Sequence, residues 1–215
     1  MEKKEIIEVL KNIGNNNKLE PRVIDIIINF VIRIKEIYGD KYISRIIKRL
    51  EELKEIKYNY NNSKYTASSK RDYIIFFKKI DNKDEYRYIL EHELFHFIQK
   101  EDSAFEKLPQ CYKNIRIPEI NILLLEESFV QYFMAVIENK SKEYIEKKED
   151  RVYKYWMNSY YKEIVGYVEH LEKRIGRRNL FDMYMDDSKY EKEIKKYDNK
   201  YGNKAFLKEI IRICM

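Results

Sequence analysis

The chain is poor in the residues that announce several common architectures. Two cysteines in 215 residues, Cys111 and Cys214, lie far apart and form neither a disulfide framework nor a zinc ribbon, so two reduced thiols in an intracellular protein are the simplest account. With three prolines and five glycines, no Pro/Gly-rich linker marks a domain boundary, and no segment repeats. Long apolar runs are missing too. Val23 to Ile37 is the most apolar early segment, but it is short and carries Asp25, Arg33, Lys35 and Glu36, which argues against a membrane span. The amino terminus, MEKKEIIEVLKNIG, is charged from its second residue and lacks the apolar core of a secretory leader, so a cytoplasmic address is expected. Nor is there a block of one charge. The formal excess of +6 is spread over interleaved Lys and Glu, as in Lys140 to Asp150. Such interleaving describes solvated helix faces better than a nucleic-acid patch. The single tryptophan, Trp156, is expected in the core.

What is present is mostly helical pattern. Ile6, Ile7, Val9, Leu10 and Ile13 predict a short amphipathic helix that Gly14 can terminate. A second helix should open at Pro21, a residue suited to the first helical position, and run to Gly39. Asp40 can cap a third, with Ile43, Ile46, Ile47, Leu50, Leu53 and Ile56 at helical spacing. Tyr73 to Phe77 is a β-branched and aromatic run too short for a helix, hence a strand. After the turn Asp81 to Asp84, a helix from about Asp84 to Lys100 should place Leu90, Leu94 and Phe97 on the core. A loop with Pro109 and Pro118 precedes another helix, Glu119 to Glu138, apolar on nearly every side and therefore buried. From Glu143 the chain reads as helical again, with breaks at Gly176 and Gly202. The expected fold is α+β and predominantly helical. Its regions are an N-terminal helical part over 1–57, a core of strand and two helices over 58–140, and a C-terminal helical lobe over 141–215, together one compact unit.

Only three histidines occur in the chain, and two of them fall in Glu91-His92-Glu93-Leu94-Phe95-His96. Residues i and i+4 of a helix share a face, so His92 and His96 can aim two imidazole nitrogens at one point. Zinc accepts that geometry, and Glu93 then stands where it can take a proton from water. Chance yields this H-E-x-x-H pattern, at this histidine and glutamate content, in about one chain in two hundred. A catalytic zinc takes three protein ligands, and Glu126-Glu127 offers a carboxylate in an otherwise apolar helix. Leu123, Leu124, Val130 and Met134 surround Glu127 at helical spacing. A carboxylate there must either coordinate a metal or pair with Arg or Lys, and both readings are open on these grounds.

At these residues the sequence resembles the gluzincin metallopeptidases, the thermolysin-like clan in which H-E-x-x-H is completed by a glutamate on a downstream helix. Glu127-Ser128-Phe129-Val130-Gln131-Tyr132-Phe133 is similar to the E-G-F-T-E-Y-L element of many small bacterial members. The match implies Glu127, rather than Glu126, as third ligand. Ser128 stands where Gly is usual and Gln131 where a second Glu is usual. A softer similarity continues through Tyr161, Leu171, Ile175-Gly176, Leu180, Tyr184 and Asp186-Asp187, so that it spans about Asp72 to Asp187.

The resemblance implies a zincin-like fold with a small sheet packed on the H-E-x-x-H helix, and helix-rich lobes on both sides of a cleft. It implies a Zn2+ cofactor, peptide or protein substrates, and peptide-bond hydrolysis with Glu93 as general base. The strand from Tyr73 is either an edge along which a peptide pairs or an internal strand. Tyr160, Tyr161 and His170 are the oxyanion donors to consider, each equally readable as an ordinary packed or exposed side chain. The alternatives are a regulatory protease of the phage-repressor type and a catalytically inert zincin-like scaffold or regulatory binding protein. A nucleic-acid module ranks below these, since no aromatic and basic recognition motif is present.

Overall fold

The computed structural model describes residues 1–61, 65–99, 119–138 and 159–213. The fold is predominantly helical with one three-stranded sheet, and the chain divides into two units, Met1–Gln99 and Lys100–Met215.

The first unit is built from α1 (Lys3–Asn16), α2 (Pro21–Tyr38), α3 (Ile43–Leu50), β1 (Glu55–Tyr58), β2 (Ala67–Ser69), β3 (Tyr73–Phe76) and α4 (Lys83–Ile98). Pro21 opens α2 as expected, and Gly39, at φ +85°, closes it. Gly14, expected as a terminator, instead lies inside α1 and is buried. A Cβ there would come within 2.5 Å of Ile24 Cγ1, so the glycine lets α1 and α2 approach closely. Asp40 does not cap α3, which begins after Tyr42 without a side-chain cap. Its carboxylate is taken by Lys35 and the terminal amine of Met1.

The third helix was expected to continue to Ile56 but stops at Leu50, and Glu55–Tyr58 becomes β1. The Lys54 N–H donates to the Asp72 carbonyl at 2.7 Å, and Ile56 pairs with Ile74 in a parallel ladder. This long-range pairing overrides a helical spacing that ran on by coincidence. The strand order is β1-β3-β2, with β2 antiparallel to β3. The strand read from the sequence is therefore internal and cannot serve as the edge for a peptide. Its alternate residues Ile74 and Phe76 are buried.

The second unit comprises α5 (Glu119–Ile137), α6 (Ser159–Ile175), α7 (Arg177–Met185), α8 (Asp187–Tyr201) and α9 (Ala205–Ile213). α5 packs on α6 and α9, and the ring of Phe133 lies 5.3 Å from that of Phe181 and 5.0 Å from that of Tyr184. Leu125, Phe129, Val130 and Met134 are fully buried, as an all-round apolar helix requires. The expected breaks fall at Gly176 and Gly202, at φ +90° and +108°. Leu171, Leu180 and Tyr184 are core residues. Cys111, Cys214, Pro109, Pro118, Trp156 and the stretch 143–150 lie outside the described residues. Among the described residues no helix is long and apolar enough to cross a membrane.

Candidate metal centre

α4 carries the histidines, and several contacts fix its place in the first unit. Asn82 caps it, its side-chain oxygen accepting from the N–H groups of Asp84 and Glu85. Arg22 donates to the Lys83 carbonyl at 3.1 Å, and Tyr86 stacks on Phe76 with ring centroids 4.9 Å apart. Phe30 of α2 meets Phe95 edge-on at 4.8 Å. Near the C-terminal end, Arg49 of α3 donates to the Phe97 carbonyl at 2.9 Å and lies over the Phe97 ring. Helix α4 is buried on almost every face, which places it at the centre of the unit.

Glu91 is fully buried, and Arg33 of α2 and Arg87, one turn back on α4, both bond it. A buried carboxylate needs this kind of pairing. The two arginines fix the rotation of α4 about its axis, because Glu91 points to α2 while the next residue, His92, turns to another face.

On that other face the Nε2 atoms of His92 and His96 are 3.3 Å apart, with the imidazole planes at 68°. Two Zn–N bonds of about 2.0–2.1 Å at a tetrahedral angle put their nitrogens about 3.3–3.4 Å apart. The spacing matches two nitrogens converging on one small cation, and it is also within reach of a hydrogen bond between the two rings. His92 is 5% exposed and Glu93 7%; His96 is half-buried. An imidazole pair with a neighbouring carboxylate is a donor set that zinc, copper, iron and nickel all accept.

Glu127 lies on α5 in the second unit, half-buried between the fully buried Leu125 and Phe129. Burial pushes the Tyr184 phenol well above its ordinary range, and the charges of Glu126 and Glu127 add to that shift. Tyr184 is thus close enough to both carboxylates to feel them. Ser128 and Gln131, the two departures from the resemblance, are buried. His170 is half-buried on α6. Tyr160 and Tyr161 lie in the first turn of α6, and their side chains fall outside the described residues.

The buried Arg33–Glu91–Arg87 network was not anticipated from the sequence. Its i,i+4 half, Arg87 to Glu91, is legible in the spacing; the Arg33 half needs the fold. No protein-family model, curated protein or solved structure matches the chain.

Proposed function

We propose that this chain is a zinc-dependent metallopeptidase that hydrolyses peptide bonds, with a zincin-like arrangement around α4. The observation that carries the reading is the 3.3 Å separation of the His92 and His96 nitrogens, on a buried helix that also holds Glu93. In this reading His92 and His96 hold the metal from α4. Glu127 is the third protein ligand, an assignment that rests on its place in the sequence, on the apolar helix where a half-buried carboxylate needs a partner.

Bound zinc supplies Lewis-acid polarisation of the scissile carbonyl and of water. Glu93 supplies the base: its carboxylate accepts a proton from the attacking water and returns it to the leaving amine nitrogen. Burial of Glu93 keeps bulk water from competing for that proton. Arg33 and Arg87, by holding Glu91, fix the rotation of α4 and with it the face on which His92 and His96 stand. The substrates are peptides or proteins.

Glu93 favours an enzyme over an inert scaffold, because structural zinc needs no base. The test is hydrolysis of a mixed peptide library by zinc-loaded protein beside Glu93→Gln. Glu93→Gln should retain zinc and lose cleavage by about 10²- to 10⁴-fold, the usual contribution of a general base. Equal cleavage by both proteins, or by neither, would contradict the reading.

A further inference from the structure

The second unit has a cleft of about 210 Å³ that no part of the proposed peptidase chemistry uses. Its walls come from α6, α7 and α8, and its polar lining includes Arg174, Asn179, Lys196, Tyr197, Lys200 and Tyr201, with one carboxylate, Glu193. Three cations and one acid thus line the cleft, and a second acid, Glu209, pairs with Arg174. Glu193 is already taken by Lys196 at 2.5 Å.

The other two cations crowd a single ring. The Arg174 guanidinium lies 4.8 Å and the Lys200 ammonium 5.1 Å from the centroid of Tyr201, so the two charges are within about 10 Å of each other, a distance over which like charges at a protein surface still repel. Arg174 engages only Nη1, which donates to the Tyr197 hydroxyl at 2.6 Å and to Glu209 at 3.2 Å; its remaining N–H groups have no protein acceptor among the described residues. Lys200 has no carboxylate partner among the described residues. Tyr197, having accepted from Arg174, keeps its own hydrogen to donate, and burial holds this phenol above its ordinary range.

We propose that this cleft is a binding site for a small phosphate-bearing anion, gripped by Arg174 and Lys200 and hydrogen-bonded by Tyr197. Guanidinium, ammonium and phenol together match the several oxygens of a phosphate, and charge-assisted bonds of this type are the strong ones. The volume sets the size of the guest. Sites for drug-sized ligands run to about 300–1,000 Å³, so the cleft suits a phosphate or diphosphate group rather than a whole nucleotide.

The probe is inorganic pyrophosphate, titrated calorimetrically into the full chain at low ionic strength. Saturable binding to one site is expected. Lys200→Ala removes an exposed side chain, leaves the fold intact by circular dichroism, and should weaken binding about tenfold, the loss expected for one charge-assisted contact. Lys11→Ala, an exposed lysine of the first unit, serves as the control for net charge and should leave binding unchanged. Because pyrophosphate also chelates zinc, the titration is repeated in His96→Ala, where the site should persist whether or not the peptidase reading holds. Absence of saturable binding would overturn the proposal, as would equal weakening by Lys200→Ala and Lys11→Ala, or loss of binding in His96→Ala.

Discussion

Two glutamates stand on either side of His92 and lie on different faces of α4. Glu91 turns inward to Arg33 and Arg87 and is held by pairing; Glu93, on another face of the same helix, is the base in the proposed reaction. The H-E-x-x-H motif begins at His92 and leaves Glu91 outside it, and only the fold shows that Glu91 is a buried, doubly paired acid. Removing one partner of a buried ion pair strands a charge. Arg33→Ala should therefore lower stability by about 3 kcal/mol in urea denaturation, since breaking such a pair costs about 3–5 kcal/mol and Arg87 offsets part of the loss. A change below about 1 kcal/mol would mean that α4 is held chiefly by its apolar contacts. The adjacency of His92 and His96 was legible because their spacing is local, set by one helical turn. The orientation of Glu91 was not, because its partner Arg33 lies 58 residues away.

Elements with strong local punctuation were readable in advance. Pro21 and Gly39 bound α2, and the long apolar pattern of α5 and the breaks at Gly176 and Gly202 fall where the sequence puts them. The failures share a cause. Helical spacing through Leu53 and Ile56 concealed β1, whose identity depends on hydrogen bonds to β3. Gly14 looked like a stop signal, yet what it provides is the absence of a side chain opposite Ile24. That close approach gives a prediction at the scale of the helix pair. Gly14→Ala improves helix propensity but forces a methyl into Ile24, and overpacking of this kind costs about 1–3 kcal/mol. The substitution should lower the thermal midpoint; pairing it with Ile24→Val, which trims the opposing side chain, should recover part of the loss. A Gly14→Ala variant more stable than wild type would show that α1 and α2 can separate without penalty.

At the scale of the whole molecule, both units bury tyrosine hydroxyls, and 20 tyrosines make this a property of the chain. Burial pushes the phenols of Tyr86 in the first unit and Tyr132 in the second far above their ordinary range. A group whose pKa is raised by folding contributes stability below its unfolded value, and that contribution disappears as pH climbs through the folded one. Stability from these phenols should hold below about pH 10, the unfolded tyrosine value, and decline above it. Thermal melts across alkaline pH check this, and Tyr86→Phe should flatten the decline; an unchanged slope in that variant would remove Tyr86 as a cause. Metal content tests directly whether His92, His96 and Glu127 hold zinc. Protein purified without chelator, offered zinc and desalted, should retain about one zinc per chain, while His96→Ala and Glu127→Ala should each lose most of it. Zinc-free wild type, or variants that hold as much zinc as wild type, would contradict the account and leave His92 and His96 as an ordinary pair on a buried helix.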